Sequence, residues 1–73
     1  MPNSIVSAKF DLMRLALPKD SSFTLENNTI KVKHSDYTLK AEIEAKIKNL
    51  TASIGCEITD KSTSAKIRFE IKF

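Results

Sequence analysis

The stretch LKAEIEAKIK, residues 39–48, alternates apolar and charged residues without interruption. Such alternation fits a half-buried strand, yet the same ten residues carry the spacing of an amphipathic helix. As a strand the segment would bury Leu39, Ala41, Ile43, Ala45 and Ile47. Two of these are alanine, which strands disfavour. The alternation also fails after Lys48, leaving Leu50 and Ile54 out of phase. As a helix, Leu39, Ile43, Ile47, Leu50 and Ile54 gather within one arc of about 80°. Glu42 with Lys46, and Glu44 with Lys48, are i,i+4 pairs in the favourable order, about 0.2–0.5 kcal/mol each. Ser35 or Asp36 can cap the start, and Gly55 stands where a helix C-terminus takes a glycine. Helix is the expected state.

Working outward, residues 5–17, IVSAKFDLMRLAL, place Ser7, Asp11 and Arg14 together on a helical wheel and leave the rest apolar except Lys9. Asn3 or Ser4 can cap this helix, and Pro18 ends it. A strand reading fails because Met13, Leu15 and Leu17 fall on the face opposite Val6, Ala8, Phe10 and Leu12. Residues 23–33, FTLENNTIKVK, form a hairpin: Asn27 and Asn28 occupy a tight turn, since Asn tolerates positive φ. Leu25 then pairs with Ile30 and Phe23 with Val32 on one face, and Thr24 faces Lys31 on the other. The last element, CEITDKSTSAKIRFEIKF, is a second hairpin. A four-residue loop at Lys61–Ser64 sets Asp60 against Ala65, Ile58 against Ile67 and Cys56 against Phe69, with Glu57 opposite Arg68 outside.

The order helix, hairpin, helix, hairpin predicts a single two-layer α+β domain with both helices on one face of an antiparallel sheet. The competing fold makes 37–48 a strand and lays one N-terminal helix over a five-stranded meander. Seventy-three residues allow one domain with a stability of about 4–11 kcal/mol. One cysteine excludes an internal disulfide, and one cysteine with one histidine cannot build a structural zinc site. No apolar run spans a bilayer, and the first residues lack the pattern of a signal peptide. The cytoplasm is the expected location.

Little in the sequence carries chemistry. His34, Ser35 and Asp36 are the residue types of a nucleophilic triad, but consecutive side chains cannot converge as nucleophile, base and orienter. They read instead as a strand end running into a helix cap. Cys56 on the inner face behaves as a small hydrophobe. Glu42 and Glu44 diverge on a helix, and Glu57 and Glu70 face outward beside basic residues. No catalytic residue, cofactor, metal or small-molecule substrate is inferred.

Two kinds of partner remain. The C-terminal strand is regular and free of proline; at a sheet edge, Ile67, Arg68, Phe69, Ile71 and Phe73 would offer a template for strand addition by a protein or a second copy, giving a homodimer. The primary expectation is therefore a non-catalytic binding protein. The alternative is a nucleic-acid module, in which Lys31, Lys33, Lys66, Arg68 and Lys72 line a solvent face and contact phosphates. Net charge is only +3, and Tyr37 is the sole candidate to stack on a base, because Phe23, Phe69 and Phe73 point inward.

Overall fold

A computed structural model describes residues 4–73. Chain order is α1 (Ser4–Ala16), β1 (Ser22–Glu26), β2 (Thr29–His34), a 3-10 turn (Tyr37–Leu39), α2 (Lys40–Leu50), β3 (Glu57–Asp60) and β4 (Ile67–Lys72). The strands form one antiparallel sheet in the order β1-β2-β4-β3, with the two helices packed against it. The segment that decides the architecture is helical, and the five-stranded meander is excluded.

Helix α1 presents Val6 and Met13 to the core, with Phe10 packed at its margin and Leu17 buried just beyond its last residue. The spacing of four, three and four keeps these side chains on one face. Phe10 meets Phe23 of β1 edge to face at 6.2 Å, which fixes this helix over the first hairpin. Of its two expected caps, Asn3 lies outside the described residues and Ser4 is the first helical residue.

The first hairpin has the expected register. Phe23 pairs with Val32, Thr24 with Lys31 and Leu25 with Ile30. Asn27 takes φ 56°, the left-handed conformation that the turn requires and that Asn accepts.

Helix α2 begins as expected and ends early. Asp36 caps the preceding 3-10 turn, accepting from Thr38 N at 3.0 Å and from its Oγ1 at 2.6 Å. Ile43 and Ile47 are fully buried, and Leu39 and Leu50 pack against the core. Gly55 does not form the C-cap: the helix closes at Thr51, whose Oγ1 donates to the Ile47 carbonyl at 2.8 Å. That hydroxyl and the run Asn49, Thr51, Ser53 compete with further helical turns. Gly55 has no positive φ, and Ile54 lies in the turn beyond the helix instead of on its arc.

The second hairpin is shifted from its expected register. Ile58 pairs with Ile71, not Ile67, and Asp60 pairs with Phe69, not Ala65. Glu57 consequently faces Lys72, not Arg68. Cys56, one step beyond the last pair, lies across from Phe73. The shift is an even number of residues, so inner residues remain inner. Thr63 N donates to the Lys66 carbonyl and Lys61 N to the Arg68 carbonyl, which leaves Ser64 and Ala65 as a tight turn.

Strand β4 is central. It pairs with β2 from Thr29–Lys72 through His34–Ile67, and the ladder runs one step further where Phe73 N donates to the Asn28 carbonyl at 2.8 Å. On its other side lies β3. Ile30, Val32, Ile67, Phe69 and Ile71 supply the buried centre of the sheet's inner face.

Candidate functional site

Residues 34–36 are structural. His34 is buried opposite Ile67, and its Nδ1 accepts the Asp36 N–H at 2.9 Å. Asp36 caps the 3-10 turn as above, and Thr38 holds its carboxyl below the usual carboxylate range. Cys56 is a free thiol, half-buried against the core. Among the described residues no group of three or more His, Cys, Asp or Glu could hold a metal ion. No helix among them is long and apolar enough to cross a membrane.

The most perturbed carboxylate lies where the two layers meet. Asp60 Oδ2 is 2.7 Å from Lys40 Nζ at the start of α2, and its Oδ1 accepts the Ser62 N–H at 2.8 Å. The ammonium first, then the two hydrogen bonds from Ser62, lower its pKa to about 2. Lys40 is raised in turn by Asp60. This pair ties α2 to the edge strand β3.

The five candidates for strand addition do not form an open edge. Ile67, Phe69 and Ile71 are buried, Arg68 and Phe73 are half-buried, and the backbone of β4 is committed on both sides. The free edges belong to β1 and β3.

An apolar surface that the strand argument missed lies on α1. Ile5 is 58% exposed, Leu12 45% and Leu15 85%. With Ala8 they repeat at intervals of three, four and three, a stripe separate from the buried one. The signal was legible as a helix apolar over more than half its circumference: one helix resting on one sheet can cover only part of that. Asp11, Arg14 and Leu15 line an open depression of about 290 Å³ beside it.

The five candidate phosphate contacts divide into two groups. On the sheet's outer face Lys31 reaches Glu26 at 3.6 Å and stands across from Glu70, and Lys72 stands across from Glu57. Lys33 stands directly across from Arg68. Lys66 precedes Arg68 by two residues. Among the described residues, none of these last three has a carboxylate partner. Lys61, across from Arg68, is held by Glu70 at 3.5 Å. Tyr37 does not share this face: it lies in the 3-10 turn before α2, with Lys40 Nζ 5.4 Å from its ring centroid.

The arrangement defines a class, the two-layer α+β domain with a helix–hairpin repeat and two uncommitted surfaces, one apolar and one basic. Protein-family models, curated proteins and solved structures give no match to the chain.

Proposed function

We propose that this chain is a small, non-catalytic, cytoplasmic binding protein that works by self-association through the outer stripe of α1. The observation that carries this reading is the exposure of Ile5, Leu12 and Leu15 along one line of a helix whose other face is already buried. A single free cysteine suits a reducing compartment.

A second copy is the occupant because the stripe matches its own reverse. A two-fold axis near Phe10 sets Ile5 across from Leu15 of the second copy and Ala8 across from Leu12, so large and small side chains alternate along the seam. The interval of three and four residues is that of a helix-pair seam. The exposed fractions amount to about two whole side chains per protomer. Four buried side chains per pair give roughly 6–12 kcal/mol of gross stabilisation, against an association cost of about 4–15 kcal/mol. Gain and cost are of the same order, so the association is weak and reversible, and it is sought at concentrations from about 10 µM to 1 mM.

Sedimentation velocity across that concentration range tests the reading. The wild type is expected to shift from monomer to dimer, and the Leu12→Glu/Leu15→Glu double variant to remain monomeric with an unchanged circular dichroism spectrum. A wild type that stays monomeric up to about 1 mM removes self-association.

A further inference from the structure

We infer that Lys33, Arg68 and Lys66 form a phosphate-binding site on the sheet's outer face, and that its ligand is the backbone of a double-stranded nucleic acid. The inference is independent of association through α1, which lies in the opposite layer.

The argument begins with a cost. Like charges placed directly across two strands are destabilising. Elsewhere on this face the cations have acidic neighbours: Lys31 is paired with Glu26 and Lys61 with Glu70, and Lys72 stands across from Glu57. Lys33 and Arg68 occupy a directly opposed pair with no acidic group of the described chain bonded to either. Lys66 adds a third positive charge toward the loop. Lys33, Arg68 and Lys66 thus concentrate unpaired positive charge beside the Lys61–Glu70 pair, although the whole chain carries only +3.

Geometry sets the class of ligand. Facing strand residues have Cα atoms about 4.5–5.5 Å apart, and Arg68 and Lys66 are separated by about 6–7 Å along the chain. The site therefore spans two or three phosphates of one backbone. Arg68 is half-buried at the centre of the sheet, and its guanidinium offers a planar, fork-shaped donor set. The Ser62 hydroxyl steadies the local backbone, accepting from Arg68 N at 3.0 Å and donating to Arg68 O at 3.3 Å.

The rest of the face is Ser22, Thr24, Thr29, Thr59 and the paired charges, with no aromatic ring. Nothing is available to stack an unpaired base, which favours a duplex, whose bases are already stacked. Nor is there an apolar residue to enter a bilayer, which disfavours a lipid surface.

Fluorescence anisotropy with a labelled 20-base-pair duplex tests the inference at about 50 and 200 mM salt. Three phosphate contacts predict a slope of about −2.7 in log K against log salt, hence an affinity loss of about 40-fold over that interval. The Lys33→Gln/Arg68→Gln variant is expected to retain a slope of about −0.9 and lose only about 3- to 4-fold. Lys19→Gln/Lys48→Gln, with the same change in net charge, is expected to behave as wild type. Equal slopes for wild type and the Lys33/Arg68 variant overturn the site. Tighter binding of a labelled 20-mer of deoxythymidine overturns the duplex. Retention on phosphatidylserine vesicles without duplex binding overturns nucleic acid as the ligand.

Discussion

The two hairpins differ in what sets their register. In the first, Asn27 and Asn28 leave a single register in which Phe23, Leu25, Ile30 and Val32 share a face, and the chain adopts it. In the second, Ile67, Phe69, Ile71 and Phe73 are interchangeable partners for Ile58, since shifts by two or four residues preserve every face. Polar side chains make the choice. Asp60 Oδ1 accepts Ser62 N at 2.8 Å, and Thr63 Oγ1 accepts Ala65 N at 3.3 Å and Lys66 N at 3.1 Å. Those bonds draw the turn up to Ser64 and Ala65 and slide β3 along β4 until Ile58 meets Ile71. Hydrophobic alternation chooses the face, and turn chemistry chooses the register.

The difference between the hairpins is largest in the core. Phe69 is buried at the centre of the sheet between Val32 and Asp60, while Phe23 is half-buried on an edge strand. Phe69→Ala is expected to cost about 3–5 kcal/mol, most of the stability of a chain this short. Phe23→Ala is expected to cost less, because the vacated space opens to solvent. Urea denaturation of the two variants measures the gap. Equal losses would mean that β4 is no more central than β1.

A smaller effect isolates the turn. Ser62→Ala removes the hydroxyl that satisfies the Arg68 N–H, and is expected to cost about 1–2 kcal/mol. The substitution leaves every apolar contact of the hairpin intact, so the loss reports the polar contribution to register. Amide hydrogen exchange at Arg68 should accelerate with it, while exchange across β1 and β2 is unchanged. Equal protection in variant and wild type would return the choice of register to the apolar row.

How far the structure was legible follows the same division. The helical state of 40–50 could be read because Leu39, Ile43, Ile47 and Leu50 share one helical arc, whereas a strand would turn Leu50 to the other face. Its end at Thr51 could not, because a hydroxyl returning to Ile47 O leaves no periodic trace. The regularity of β4 was plain, but one chain's pattern contains no strand order. A row of alternating Ile and Phe suits a central strand as well as an edge, and here its groups are spent on β2 and β3. The basic residues were visible as a set. Only pairing shows that Lys31 and Lys72 face or bind acids whereas Lys33 and Arg68 face each other. The outer stripe of α1 was visible as surplus hydrophobicity, and became a surface once the sheet was seen to cover just one face.

The smallest effect concerns the bond between the second hairpin and α2, and it depends on pH. Asp60 is lowered from 3.8 to about 2, first by Lys40 and then by Ser62, so its folded pKa lies below its unfolded one. Such a group contributes stability above its unfolded pKa and loses it as pH falls through the folded value. The contribution is therefore fully present above about pH 4 and disappears between there and about pH 2. Thermal melts of wild type and Asp60→Asn across that interval should converge as the carboxylate is protonated, with wild type the more stable at pH 7. Both partners are partly exposed, so the gap is small and shrinks further as salt screens it. Among the described residues the first hairpin has no equivalent link: its ion pair, Lys31 with Glu26, stays on the outer face and reaches neither helix. A parallel series on Lys40→Gln, which removes the ammonium from the same tie, is expected to flatten the acid limb of the melting curve as Asp60→Asn does. If Lys40→Gln left that limb as steep as in the wild type, the acid sensitivity would belong to surface charge in general and not to the tie between β3 and α2.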